Sequence, residues 1–261
     1  MDIIVVIPAY NEEKTIGEVV RRVHSSQFTV HRNSVIVVDD GSTDRTAELA
    51  REVGAIVLRH PINRGLGAAL TTGIEGALRM LHNPTYPPQN SRGGERRGYD
   101  GGEEGVIVTL DADGQHDPEE LPRVVASILK GEAEVVIGSR FVRNKNRDVS
   151  IFSKKNRNVP FLRRVANFAG NFFTWLLFGI WVSDSQSGFR AFSASAARKI
   201  KLRTSTMEVS SEIIKEIARL KLKIQEVPIA AHYTPYSLAK GQSFRRGLET
   251  LWKLIVLKFF R

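Results

Sequence analysis

The chain of 261 residues contains no cysteine. That excludes a disulfide framework and any thiolate nucleophile or ligand. No signal peptide is expected either: Met1 runs straight into an apolar segment with no basic stretch ahead of it. A cytoplasmic location is therefore expected. No complete membrane-spanning helix is evident, since a span needs about 20 apolar residues. The length suits one large α/β domain, or one domain with appendages.

Acidic residues are scarce in the second half. Residues 1–140 hold 15 Lys and Arg against 21 Asp and Glu, a net of −6; residues 141–261 hold 23 against 7, a net of +16. Basic surfaces attract nucleic acid, anionic lipid or phosphorylated ligands. Here the cations are interleaved with long apolar stretches, which favours a membrane surface over nucleic acid. A solvated surface rich in Lys and Arg is the plainer alternative.

What is present begins with Val106-Ile107-Val108-Thr109-Leu110, a β-branched run that stops in two carboxylates, Asp111 and Asp113. Such a run reads as a buried strand. Unpaired carboxylates are too costly inside it and belong at its mouth. Hard oxygen ligands there suit Mg2+ or Mn2+, ions usually shared with substrate phosphates. Taken alone, the pattern also fits a strand ending in a polar turn. Two further runs shift the balance. Ile3-Ile4-Val5-Val6-Ile7 ends in Pro8-Ala9-Tyr10-Asn11-Glu12-Glu13, and Ser34-Val35-Ile36-Val37-Val38 ends in Asp39-Asp40-Gly41-Ser42-Thr43-Asp44. Both lead into helical patterns, and parallel α/β sheets gather ligands at the carboxyl ends of their strands.

Asn63-Arg64-Gly65-Leu66-Gly67, Asp111-Ala112-Asp113-Gly114-Gln115-His116-Asp117-Pro118, Gly138-Ser139-Arg140-Phe141 and Asp184-Ser185-Gln186-Ser187-Gly188-Phe189-Arg190 complete the set. In content and order these segments resemble the inverting glycosyltransferases of family 2. The likeness covers most of residues 1–243. It points toward the dolichyl-phosphate mannose synthase group, which moves a sugar from a nucleotide onto a polyprenyl phosphate. It implies an α/β GT-A fold, with a mostly parallel central sheet flanked by helices and amphipathic helices at an interface.

The resemblance also implies roles. The nucleotide falls to Pro8, Tyr10, Glu12, Asp40, Asp111, Ala112 and Asp113. A Mg2+ or Mn2+ ion falls to Asp111, Asp113 and Gln115. The acceptor phosphate falls to Arg140, Arg163, Asn167 and Asn171, although Asn167 stands where the family more often has Ser. Catalysis falls to Asp113, Arg140, Arg190 and Lys240, the cations countering charge on the departing diphosphate. Asp39 reads as a structural cap, and His116 as a turn residue. Gly65 and Gly67 would admit a close backbone approach to a ligand.

Helical spacing is expected over 12–25, 44–53, 65–81, 118–129, 163–181 and 207–220, with strands at 56–58, 133–137 and 223–229. Residues 1–243 form the catalytic domain. Within it, 83–105 is rich in chain breakers and reads as a flexible insertion, at the amino end of the metal-site strand. Residues 142–160 read as a flexible basic loop near the acceptor. The helix over 163–182 carries Asn167, Asn171 and Thr174 along one side among Phe, Trp and Leu; it is either a core helix or an interfacial one. Residues 244–261 form an amphipathic helix, favoured as a membrane-surface anchor over a helix packed on the core.

The expected activity is transfer of a sugar, with GDP-mannose as first donor, to a polyprenyl or dolichyl phosphate with inversion. The protein would sit peripherally at the cytoplasmic face of a membrane, any deeper anchoring coming from a protein partner. UDP-glucose and UDP-N-acetylglucosamine fit the same motifs. A hydroxyl acceptor would need a carboxylate base, for which Asp184 and Glu208 are the candidates. A non-enzymatic scaffold or nucleic-acid binder would explain the charge but not the acidic motifs.

Overall fold

The computed structural model describes residues 1–26, 34–83, 105–142, 161–206 and 208–232, without the side chains of residues 161–166. The first half alternates strand and helix: β1 Asp2–Ala9, α1 Ile16–Ser25, β2 Val35–Asp39, α2 Thr46–Glu52, β3 Ile56–Arg59, α3 Leu66–His82 and β4 Gly105–Thr109. A 3-10 turn, Pro118–Glu120, then leads into α4 Leu121–Leu129 and β5 Val135–Ser139. The second half adds α5 Phe161–Phe178, β6 Arg190–Ser193, α6 Ala194–Lys199, α7 Val209–Leu220 and β7 Ile224–Pro228.

These strands form one seven-stranded sheet in the order β3-β2-β1-β4-β6-β5-β7. Every pairing is parallel except those of β6, which runs antiparallel to β4 and β5. The continuous apolar runs have a direct cause. Val5 and Ile7 face one core with Val19, Val20, Val23, Leu121 and Val124; Ile4 and Val6 face the other with Leu70, Ile74, Phe192, Ile213 and Ile217. Alternate side chains are buried on opposite faces, so no polar alternation survives.

Within the described residues, the expected helices and strands are present within a few residues of their expected limits. β6 and α6 were not expected. Only four residues long and opening on a charged Arg190, β6 carries no periodic signal. Its reversed direction matters for chemistry. Arg190 pairs with Thr109 and Ile137, so the first residue of β6 lies at the same sheet edge as the last residues of its parallel neighbours.

The glycines at the start of α3 serve packing. A Cβ on Gly67 would fall 2.0 Å from the Thr204 carbonyl oxygen, and one on Gly65 2.3 Å from that of Ser205. The Gly67 N–H donates to Ser205 O at 2.8 Å. The close partner expected to be a ligand is thus the chain's own 204–205 backbone.

Candidate active site

The carboxyl ends of β1 and β2 are tied to each other. Asn11 takes a positive φ of 53°, its N–H donates to Ser42 Oγ at 2.9 Å, and its Oδ1 accepts from Thr43 N at 2.9 Å. The Glu12 N–H donates to Thr46 Oγ1 at 2.7 Å, while the buried Glu12 Oε2 accepts from Thr15 Oγ1 at 3.0 Å. Pro8 is buried within β1, and Tyr10 is exposed at its end. Asp40 is buried and already occupied: it meets His60 Nδ1 at 2.7 Å and accepts from Arg64 N at 2.9 Å and Gly65 N at 2.7 Å. It clamps the turn before α3. Asp39 does not cap α2. Its Oδ1 accepts from Ser42 N at 3.1 Å, and its Oδ2 lies 2.9 Å from Arg59 Nε. Asp44 engages α2 instead, accepting from Thr46 N at 3.0 Å.

At the mouth of β4, Ala112 is buried between Asp111 and Asp113, which are partly exposed. Asp111 lies against Gly188 so closely that a Cβ there would fall 2.1 Å from both carboxylate oxygens. His116 is buried with Nε2 3.6 Å from Asp111 Oδ2, its ring tilted on Phe189 at 5.8 Å. Burial works to raise the Asp111 pKa, but the hydrogen bond and charge of His116, then Arg190 and Arg140, outweigh it and hold the group below the ordinary aspartate value. His116, expected as a turn residue, is therefore part of this site. The sequence offered no cue beyond its place after Gln115.

Asp113 is the opposite case. Burial, then the neighbouring Asp111 charge, raise its pKa. Its Oδ1 accepts from Gln115 N at 3.0 Å, and Gln115 Nε2 lies 2.5 Å from Oδ2. A carboxylate pressed against a second carboxylate is a place where a cation lowers the energy. The Gln115 amide can turn to present its oxygen, since its two ends are interchangeable in shape. The donor set is all oxygen and fits a hard divalent ion. Among the described residues no group of three or more His, Cys, Asp or Glu is arranged as a self-sufficient metal cage. An ion here would take further ligands from substrate and water.

Two cations, Arg140 just after β5 and Arg190 at the start of β6, complete the edge. Arg140 makes a two-armed pair with Asp184, Nε to Oδ2 and Nη2 to Oδ1, both at 2.7 Å, and its N–H donates to Oδ2 at 3.1 Å. The Asp184 side chain is wholly buried. Arg190 is also buried, and its Nη2 donates to Ser185 O at 2.7 Å while Nε has no partner. Burial, reinforced by Arg140 and opposed by Asp111 and Asp184, brings its pKa to about 10, so it stays charged at neutral pH.

Asn167 and Asn171 reach this edge through a loop. Asn171 Nδ2 donates to Ser183 O at 2.6 Å, and its Oδ1 accepts from Ser185 N at 3.0 Å and Ser185 Oγ at 2.6 Å. Asn167 Nδ2 donates to Ser183 O at 3.2 Å, and its Oδ1 is unpartnered. Both ends of the Asn171 amide are engaged by residues 183–185. The two candidate bases are engaged as well: Asp184 by Arg140, Glu208 by the Thr206 hydroxyl. Lys240, the Arg163 side chain, the helix over 244–261 and the loops within 83–105 and 142–160 lie outside the described residues.

A mostly parallel sheet with an acidic pair and two guanidiniums at one edge is the arrangement of a GT-A glycosyltransferase. Residues 4–78 and 100–201 match the model for glycosyl transferase family 2, and the chain belongs to that family. It is 41% identical over 261 residues to uncharacterized protein MJ1222 of Methanocaldococcus jannaschii, covering 99% of this chain and 93% of that protein. It is 34% identical to the UDP-N-acetylglucosamine–dolichyl-phosphate N-acetylglucosaminyltransferase of Methanococcus voltae, covering 98% and 96%. Among solved structures, glucosyl-3-phosphoglycerate synthase of Mycobacterium tuberculosis in complex with Mn2+, UDP-glucose and glycerol 3-phosphate matches with a TM-score of 0.59 at 22% identity, covering 97% of this chain and 79% of that one. That likeness is one of fold.

Proposed function

We propose that this glycosyltransferase moves a sugar from a nucleoside diphosphate to a polyprenyl phosphate with inversion, at the cytoplasmic face of a membrane. The observation that carries the reading is the meeting of Asp111 and Asp113 with the half-buried Arg140 and the buried Arg190 at one sheet edge. Such an edge suits two phosphorylated substrates, one brought with a cation and one met by guanidinium groups.

Tyr10 offers an exposed ring for stacking on the base, with Glu12 behind it as an acceptor for ribose or base hydrogens. Asp113 and Gln115, backed by Asp111, would hold a Mg2+ or Mn2+ ion. When bound, such an ion neutralises diphosphate oxygens as the leaving group departs. Arg190 holds a fixed positive charge on the same side, with one N–H still unpaired. Arg140, oriented by Asp184, is the cation assigned to the acceptor side. Lys240 is the third cation by family resemblance.

The acceptor class follows from what a nucleophile needs. A hydroxyl requires a general base. A phosphate is already anionic and requires orientation and screening. With Asp184 locked in an ion pair and Glu208 engaged by Thr206, the phosphate acceptor is favoured. The relative from Methanococcus voltae, matched along nearly its whole length, supports a dolichyl-phosphate acceptor and makes UDP-N-acetylglucosamine the second donor to try after GDP-mannose. Membrane contact is supported by an exposed aromatic face on α5: Phe168, Phe172, Trp175 and Leu176, with Trp181 beyond its end.

The test is a panel of GDP-mannose, UDP-glucose and UDP-N-acetylglucosamine with a short polyprenyl phosphate, with and without Mn2+, scored for glycolipid. One donor should give metal-dependent product. Transfer to a sugar hydroxyl, with none to the lipid phosphate, would overturn the acceptor assignment.

A further inference from the structure

One asparagine on α5 touches both residues that flank Asp184. Asn171 donates to Ser183 O and accepts from Ser185 N and Oγ. The carboxylate between them takes the two arms of Arg140 and its N–H. The Ser185 carbonyl takes Nη2 of Arg190. Both guanidiniums of the site are thus fastened to a stretch of three residues; Ser183 is also held by Ser139, Asn167 and Glu226, and Asn171 ties both ends of the stretch together. Asn171 is 3% exposed and Asp184 and Ser185 are fully buried, so water does not replace these bonds.

We infer that Asn171 is a positioning residue, setting where Arg140 and Arg190 stand relative to the reacting phosphates. The inference rests on the transferase reading for its catalytic consequence, while the clamp itself stands on geometry. Arg140 follows β5 at the start of the stretch leading toward 143–160, and the described contacts of its guanidinium with a carboxylate are all to Asp184. Arg190 has an unpaired Nε, and its Nη2 donates to Ser185 O. Long side chains held this way follow their anchor. If residues 183–185 shift, both charges shift together and the barrier rises even though no charge is lost. The same helix turns its aromatic residues outward, so contact of α5 with a bilayer would bear on the clamp directly.

The experiment compares Asn171→Leu with Thr174→Val, one helical turn on. Thr174 is fully buried and bonds Gly170 O at 2.8 Å and Ser211 Oγ at 3.1 Å, with no tie to residues 183–185. It therefore reports generic damage to α5. Hydrogen exchange is followed on the full-length protein at the amides of Arg140 and Ser185, alongside steady-state transfer with the donor the parent enzyme accepts. In Asn171→Leu both amides should exchange several-fold faster, and kcat should fall on the order of 10²-fold with little change in donor KM. Thr174→Val should leave both amides and kcat near parent values. Ser185→Ala, which keeps the backbone bond to Asn171, should sit close to the parent. Unchanged exchange at Arg140 in Asn171→Leu would overturn the inference, as would faster exchange with unaltered kcat. Equal effects in Thr174→Val would overturn it too, reducing Asn171 to helix packing. Should Asn171→Leu fail to fold, Asn171→Ser decides by the same two readouts. A parent enzyme inactive with every donor would count against the transferase reading, and the exchange data would still decide the clamp.

Discussion

At Asp113, burial and a neighbouring carboxylate act in the same direction, both resisting ionisation. A bound cation would oppose both effects. Asp113→Ala should therefore lower transfer by roughly 10²–10³-fold, the range seen when a group stabilising transition-state charge is removed. Excess chelator should do the same to the parent, and full activity in chelator would end the metal assignment. Glu226 shows a different balance. Its Oε1 accepts from Ser183 N at 2.8 Å and Ser183 Oγ at 2.7 Å. Burial raises its pKa, with the Asp184 charge adding, and the bonds from Ser183 only partly offset this. A carboxyl whose folded pKa is raised contributes stability that is complete below its unfolded pKa and is lost as pH rises through the folded value. Glu226→Gln keeps an oxygen for both Ser183 donors and removes the charge. Its melting temperature should match the parent at low pH and exceed it increasingly toward neutral pH. A constant gap across that range would show that Glu226 is not the titrating group.

Elements differ in how plainly the sequence announced them. β1, β2 and β4 were legible because burial on both faces leaves unbroken apolar runs, and each run halts where carboxylates gather. β6 was hidden because it is short and enters the sheet through Arg190, whose burial depends on Asp111, Asp184 and Ser185, partners far away or in a loop. The same reason conceals the roles of His116 and Asn171: residue type and spacing do not reveal a contact made across the fold. α5 was legible as a helix, with Asn171 and Thr174 turned inward as the spacing suggested. Its outer face is testable. Phe168 is 61% exposed and Trp175 42% exposed. Replacing both with Glu should change stability by only about 0.5 kcal/mol each, as for other surface positions. Vesicle binding should nevertheless drop. Co-sedimentation with liposomes measures this, and binding equal to the parent would exclude that face as a bilayer contact.

Across the whole molecule, the charge is divided in the same way as the chemistry. The half that supplies the acidic pair carries a net of −6, and the half that supplies Arg190, α5 and the residues beyond carries +16. Among the described residues no helix is long and apolar enough to cross a membrane. Membrane contact would then combine two attractions with different responses to salt. Lys or Arg near an anionic leaflet contributes about 1 kcal/mol each, within a screening distance of about 8 Å at physiological ionic strength. Buried aromatic surface contributes an amount that salt does not remove. Binding to phosphatidylserine-containing vesicles should therefore weaken as sodium chloride is raised and level off above zero. Binding to uncharged phosphatidylcholine vesicles should be weaker and nearly independent of salt. The Phe168 and Trp175 replacements should remove mainly the salt-resistant part. Deleting residues 244–261, which carry Arg245, Arg246, Lys253, Lys258 and Arg261, should remove mainly the salt-sensitive part while metal and nucleotide binding persist. Equal binding to charged and uncharged vesicles at low salt would refute the electrostatic share. A deletion that unfolds the protein would assign that segment to the core instead of the membrane surface.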